Sequence, residues 1–415
     1  MADHKIPVLN LKEQFATLAP ELEQAVLAVL RSGNYILGEQ VALLEQGIAS
    51  LCGCQYGIGV ANGTDALVLA LWALNIGPGD EVITPSFTFA ATAEAIALRG
   101  ATPVFVDANP NTFNIDAHLI EAAITKRTKA IMPVHLYGMP ADMEAIVALA
   151  KKYSLKIIED NAQAVGALYR GSPTGSFGDI ACLSFYPTKN LGACGDAGML
   201  VTNNATLNER LRKLRAHGMK KRYYHEELGV NSRLDELQAV VLNTKLPHLA
   251  QWNQKRAQLA KQYSDALSNI QWLQLPELTD SYDQLAQAKT NHVWHQYTVV
   301  VKLGEAQFAI NSSLDSKDAG TIRDTVMSKL SEQGIGSMCY YPIPLHVQEA
   351  FAHYGYNAGD FPITERLAKR VISLPMYPEL SEDSIKTVAA ALEKIGQEML
   401  SVSSQSRAYS GVSLR

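Results

Sequence analysis

A chain of 415 residues has the length for two or three domains and a large core, and 47% hydrophobic with 19% charged content lies in the ordinary globular range. Its 36 Lys+Arg against 41 Asp+Glu give a formal charge of −5, with no basic block to mark nucleic acid or an anionic membrane as a partner. Residues 1–12 lack the apolar stretch of a signal peptide, no run approaches the ~18 apolar residues of a membrane span, and the five cysteines (Cys52, Cys54, Cys182, Cys194, Cys339) form neither a disulfide framework nor a zinc-type pair. The expectation is a soluble, reduced, cytoplasmic protein with no metal site.

From Tyr56 onward, short β-branched runs alternate with helical patterns. Residues 56–61 read as a strand, and Asn62-Gly63-Thr64 opens a helix through Ala73. Strand-like runs follow at 81–85, 102–106, 130–134, 156–159, 180–185 and 199–202, with helical patterns at 90–98, 116–124 and 141–153 between them. Strands joined by helical crossovers make a mainly parallel sheet with helices on both faces, an α/β fold that binds ligands outside the carboxyl ends of its strands. A long helical pattern at 235–270 leads into a smaller α+β domain with a strand at 296–302 and helices at 321–333 and 381–399. The expected division is 1–250 for the large domain, 251–400 for the small one, and a disordered Ser-rich tail at 401–415. The polar, alanine-rich stretch 279–290 reads as an exposed insertion.

Four groups of residues carry chemistry. Lys189 follows a buried-looking strand and a proline, where desolvation lowers an amine's pKa and frees it as a nucleophile; the alternative is a surface lysine in a loop. Asp160 ends an apolar strand, placed to hold a proton on a cofactor's ring nitrogen, or simply to cap the next helix. Gly63 and Thr64 sit at a helix start that suits a phosphate, with Ser184 as a second hydroxyl, although ordinary capping explains the same residues. Phe87 and Phe89 follow a strand two apart; either can stack on a flat heterocycle, and core packing is the reading preferred for Phe87.

Together these residues resemble the DegT-type sugar nucleotide aminotransferases, a family of fold-type-I pyridoxal-phosphate enzymes. The resemblance runs through Gly38, Asn62-Gly63-Thr64-Asp65-Ala66-Leu67, Pro85 to Phe89, Glu159-Asp160-Asn161-Ala162-Gln163 and Ser184 to Asp196. It continues through His217-Gly218, Asn231-Ser232-Arg233-Leu234-Asp235-Glu236-Leu237, His295-Gln296-Tyr297 and Tyr341-Pro342-Ile343-Pro344-Leu345-His346. It implies that Lys189 binds pyridoxal 5'-phosphate covalently, that Asp160 pairs with the ring nitrogen, that Gln163 sits by the ring oxygen and that Phe89 stacks on the ring. Gly63, Thr64 and Ser184 would hold the phosphate, and Asn231 would reach the phosphate in the neighbouring subunit of a homodimer with shared sites.

The same resemblance implies transfer of an amino group from L-glutamate, by way of pyridoxamine 5'-phosphate, to a nucleotide-linked keto sugar. The run from Asn231 is closest to enzymes that aminate C3, which favours a dTDP-linked 3-keto-6-deoxyhexose over a UDP-linked 3-keto N-acetylhexosaminuronate. His217, Tyr223, Tyr224 and His346 are candidate pocket residues, with core or surface placement equally open. Two departures stand out: Ala197, where the family has a second glycine, and the insertion at 279–290. Lys189 argues against the family branch that carries histidine there and dehydrates its substrate. A non-catalytic sugar-nucleotide regulator and a desulfurase using Cys194 are the other classes weighed.

Overall fold

The computed structural model describes residues 5–277, 290–305 and 322–409, with 401–409 as helix backbone only. The insertion expected at 279–290 lies outside the described residues except for Thr290, as does the end of the tail, 410–415.

Seven strands make the central sheet: β1 (Tyr56–Val60), β2 (Glu81–Pro85), β3 (Thr102–Val106), β4 (Thr128–Ile131), β5 (Lys156–Asp160), β8 (Ile180–Ser184) and β9 (Gly198–Thr202), with the short ribbon β6 (Leu168–Tyr169) and β7 (Ser172–Pro173) between β5 and β8. Their spatial order is β1-β9-β8-β5-β4-β2-β3. The pairs β2–β3, β2–β4, β4–β5 and β5–β8 are parallel, whereas β9 runs antiparallel to both β1 and β8. Every residue of β2 and β9 is buried, as expected of strands covered on both faces.

Helices α1 (Leu11–Ser32) and α2 (Glu39–Leu51) precede the sheet, and α3 (Gly63–Ala73), α4 (Ala90–Leu98), the short α5 (Ala117–Ile120), α6 (Met143–Tyr153) and α7 (Ala205–Leu214) connect its strands. One core packs α3, α4 and α7 on the sheet, through Leu67, Leu71, Ile96 and Leu211 against Ile58, Val82 and Ile158. Another packs α2 and α8 (Glu236–Lys245) on the opposite face, through Leu44, Ile48 and Leu242 against Leu183 and Val201.

The helical pattern read as continuous over 235–270 is broken. It ends α8 at Lys245, passes through a 3-10 turn at Leu246–His248 and resumes as α9 (Leu249–Leu267). Pro247 is the cause, having no N–H to bond four residues back and a ring that crowds the preceding turn. The antiparallel ribbon β10 (Met219–Lys221) and β11 (Tyr224–His225) lies between α7 and α8. Beyond α9, strands β12 (Leu273–Gln274), β13 (Tyr297–Val301) and β14 (Val371–Leu374) form an antiparallel sheet in that order. It shares a core with α9, α10 (Ile322–Glu332) and the last helix, α12, with α11 (Pro362–Arg370) leading into β14. The last helix, α12, runs Glu382–Tyr409, beyond the end at Met399 that the sequence suggested.

Candidate active site

A cavity of about 670 Å³ opens at the carboxyl ends of the parallel strands. Asp160 is the last residue of β5 and Ser184 the last of β8, so both reach its floor. Lys189 follows in the loop between β8 and β9. That loop is closed by Phe185 N–H donating to Ala197 O at 2.8 Å and Ala193 N–H donating to Phe185 O at 2.8 Å. The lysine is half-buried, and burial takes its amine from 10.5 to about 8 against the opposing pull of Asp160.

Asp160 is buried. Its Oδ2 accepts from Thr92 Oγ1 at 2.9 Å and its Oδ1 from Ala162 N at 3.2 Å. Burial raises its pKa; the Thr92 hydroxyl, the Ala162 N–H and the positive charge of Lys189 oppose the rise. Glu159, one residue earlier, is buried too, and accepts from His135 Nε2 (3.0 Å) and from the N–H groups of Gly175, Phe177 and Gly178. Two adjacent buried carboxylates are thus each hydrogen-bonded, only one of them lining the cavity.

At one end of the cavity stands the start of α3. Asn62 Oδ1 accepts from Asp65 N at 2.8 Å, an N-cap that leaves the N–H groups of Gly63 and Thr64 at the helix tip. Glycine is required at 63 by close approach: a Cβ there would lie 2.7 Å from Ser184 Cβ. Gly63, Thr64 and Ser184 all line the cavity. Phe89, also in the lining, is 56% exposed and its ring centroid is 5.8 Å from that of Tyr341, whereas Phe87 is 1% exposed and packs in the core. Gln163 Oε1 accepts from Tyr137 N at 2.6 Å, and its Nε2 donates to Tyr341 Oη at 3.1 Å.

A family model described as the DegT/DnrJ/EryC1/StrS aminotransferase family matches residues 17–393. The chain belongs to this family. Among its relatives, the DegT/DnrJ/EryC1/StrS chain is 48% identical to a UDP-N-acetyl-3-dehydro-alpha-D-glucosamine 3-aminotransferase of Acidithiobacillus ferrooxidans, covering 94% of this chain and 97% of that one. It is 46% identical to a dTDP-3-amino-3,6-dideoxy-alpha-D-galactopyranose transaminase of Aneurinibacillus thermoaerophilus (94% and 99%), and 47% identical to a Geobacillus stearothermophilus protein named pleiotropic regulatory protein (94% and 98%). The crystal structure of S. venezuelae DesV in complex with a ketimine intermediate superposes with a TM-score of 0.86 at 41% identity, covering 94% and 98% of the two chains. The fold is therefore that of the pyridoxal-phosphate-dependent aminotransferases.

Other residues singled out in the sequence lie elsewhere on this aminotransferase. His346 is fully buried outside the cavity lining, its Nδ1 2.7 Å from Ser86 Oγ and its Nε2 3.2 Å from Glu365 Oε1, so both ring nitrogens are committed to packing. His217, Tyr223 and Tyr224 are exposed on and beside the β10–β11 ribbon and do not line the cavity. Asn231 is exposed and also outside the lining, next to Ser232, whose hydroxyl donates to Asp65 Oδ2 at 2.6 Å. Cys194 is exposed and outside it as well. Ala197 is buried among the residues under α2 and α8, so its extra methyl is absorbed by packing.

The cavity also takes residues to which the sequence reading gave no role. Tyr341, His295 and Gln296 lay in the stretches that carry the resemblance, and that was their signal. They come from the side of the small sheet: His295 and Gln296 directly precede β13, and Met338, near Tyr340 and Tyr341, bridges to Ser373 of β14. Thr92, in α4, gave no signal, because its contact with Asp160 spans 68 positions.

Proposed function

We propose that this chain is a pyridoxal-phosphate aminotransferase that places an amine on C3 of a nucleotide-linked keto sugar, with L-glutamate as amino donor. The observation that carries this reading is the pairing, in one cavity, of an amine brought down to about 8 with a buried carboxylate on the adjacent strand end. The residues fit the cofactor. Lys189 offers a partly deprotonated amine for its aldehyde carbon, Asp160 a carboxylate for its ring nitrogen, and Phe89 an exposed flat face. The tip of α3 with Ser184 offers N–H and hydroxyl groups for its phosphate.

When bound, pyridoxal phosphate supplies an electron sink and a carrier for the amino group. Asp160 holds the proton on the ring nitrogen. Lys189 Nζ, once free, takes the proton from the α-carbon of the donor, as a general base within reach of its own loop. Gln163, itself oriented by Tyr137 N–H, fixes Tyr341 at the cavity wall. Asn231 and the β10–β11 ribbon, exposed in the protomer, would complete the site of a partner subunit in a homodimer.

For the sugar, the run from Asn231 to Leu237 and the dTDP-sugar relative favour a dTDP-linked 3-keto-6-deoxyhexose, while the 48% identical relative favours a UDP-linked 3-keto sugar. The five thiols are free, which fits a cytoplasmic enzyme. Purified protein should absorb above about 400 nm, and borohydride should fix the cofactor to the peptide containing Lys189. Given L-glutamate and a panel of dTDP- and UDP-linked keto sugars, it should release 2-oxoglutarate with one class. Asp160→Asn should slow the donor half-reaction by at least about 10²-fold. Borohydride label on another peptide would remove Lys189 from its role. Sugar-nucleotide binding without turnover would favour the regulator reading that one relative's name suggests.

A further inference from the structure

Asp160 is the end of a short chain of hydroxyl groups. Thr92 Oγ1 lies 2.9 Å from Asp160 Oδ2 and 3.2 Å from Thr88 Oγ1, and all three residues are buried. Each hydroxyl has one proton to give, and an ionised carboxylate can only accept. Thr92 therefore donates to Asp160, which leaves its oxygen as an acceptor, so the Thr88–Thr92 bond must use the proton of Thr88. The chain has one direction: Thr88 to Thr92 to Asp160.

Thr88 lines the cavity together with Asp160. If Asp160 took up a proton on Oδ2 facing Thr92, the chain would reverse. Asp160 would donate to Thr92 and Thr92 to Thr88, and the hydroxyl of Thr88 would turn its proton toward the cavity. The two threonines thus connect the charge state of a buried carboxylate to a group at the cavity wall. Among the groups facing Asp160, Thr92 is also the strongest influence against the rise that burial imposes, ahead of the Ala162 N–H, Lys189 and His135.

We infer that Thr92, backed by Thr88, is a positioning residue that keeps Asp160 ionised and directs its remaining lone pairs into the cavity. The inference rests on the functional reading above, in which Asp160 faces the ring nitrogen of pyridoxal phosphate. In that setting a proton shared between ring nitrogen and carboxylate stays on nitrogen only while the carboxylate charge is stabilised elsewhere.

The test uses the full chain loaded with pyridoxal phosphate labelled with ¹⁵N in the ring. Thr92→Val removes the hydroxyl at nearly constant shape, and Thr92→Ala repeats the removal should valine pack poorly. Thr92→Ser restores the hydroxyl without the methyl. In the hydroxyl-free variants the ring-nitrogen resonance should move toward its unprotonated position, and kcat should fall about tenfold, the size expected when a hydrogen bond to a charged group is lost. KM for the keto sugar should stay within about twofold of native, and Thr92→Ser should match native in both readouts. Thr88→Val should shift the resonance in the same direction by less.

A native resonance in Thr92→Val and Thr92→Ala would overturn the inference. So would Thr92→Ser behaving like Thr92→Val, since the methyl and its packing would then be the cause. A native protein that gives no bound-cofactor resonance defeats the functional reading itself, an outcome distinct from either.

Discussion

Asn190 Oδ1 lies 3.2 Å from His295 Nδ1 and decides which ring nitrogen carries the proton. The amide cannot be turned over, because its Nδ2 donates to the backbone carbonyl of Val293 at 2.8 Å, as well as to Asn253 Oδ1 at 2.9 Å. Nδ1 of His295 is therefore the donor, and Nε2 keeps its lone pair. Burial, then the charges of Lys189 and Arg256, hold this ring well below the ordinary 6.5, so it stays neutral across the physiological range. Asn190→Leu strands the buried Nδ1–H and should lower stability by about 1–3 kcal/mol, read as a fall in urea midpoint at unchanged slope. The rate profile of the native enzyme between pH 5 and 8 should show no limb that disappears in His295→Gln. Such a limb would mean that the imidazole titrates after all.

The lysine makes its own prediction about pH. In the cofactor-free chain its folded pKa of about 8 lies below the ordinary 10.5. Between those values the unfolded chain binds more protons than the folded one, so this group's contribution to stability rises with pH across that window, and the cost of burying the ammonium is complete below it. Lys189→Met removes that cost. The cofactor-free variant should melt above the native chain at pH 7, with the gain shrinking to nothing near pH 10.5. A gain that is the same at both ends would trace to packing instead.

Two glycines beside the start of α3 should differ in degree. A Cβ at Gly63 would lie 2.7 Å from one atom, Ser184 Cβ, which is anchored to the end of β8, so Gly63→Ala should lose some stability and lose pyridoxal phosphate faster on dialysis. A Cβ at Gly198 would lie 2.3 Å from the backbone carbon and oxygen of Asn62, which cannot give way without shifting the start of α3. Gly198→Ala should be destabilised by about 1–3 kcal/mol or more, as overpacked cores are. Equal melting temperatures for the two variants would contradict this contrast.

Much of the scaffold was legible because its strands are continuous apolar runs between turn residues. The strand at 81–85 follows Gly77-Pro78-Gly79-Asp80, and the one at 102–106 follows Gly100; both have the bounds the sequence suggested. The direction of β9 had no local signal, since antiparallel pairing with β1 and β8 is decided by strands far away in sequence. Pro247 was in plain view but outweighed by the surrounding helical pattern. Lys189 and Asp160 stood out because strand ends are where such sheets bind ligands. His295 and Thr92 did not, because their surroundings are set by partners 105 and 68 positions away. His346, open in the sequence between pocket, core and surface, has its ring held in the core by Ser86, 260 positions earlier.

In the proposed homodimer the partner subunit would enter through Asn231, which is exposed and outside the cavity lining of its own chain. Lys189→Ala disables one contribution to a shared site, and Asn231→Asp, which sets a carboxylate against a phosphate, disables the other. Co-refolded mixtures should recover up to half the native activity per mixed dimer, because one of its two sites inherits both intact residues. Mixed dimers that form and stay inactive would take Asn231 out of the partner's site.

The cavity has two walls with separate origins, one from the ends of the seven-stranded sheet and one from residues 295–296 and 340–341 beside the small sheet. Under the proposed function, a lineage built on this plan could change its sugar by altering the second wall while the lysine, the aspartate and the helix tip remain untouched. Where the walls meet, that freedom narrows. Tyr341 is bonded to Gln163 and sits beside Phe89, so its replacement would disturb both sides, whereas the side chains of Gln296 and Tyr340 make no hydrogen bond across the divide among the described residues, Tyr340 being tied only through its carbonyl, which accepts from Tyr137 Oη. Retargeting this scaffold, by natural drift or in the laboratory, should therefore begin at Gln296 and Tyr340 and leave Tyr341 until last.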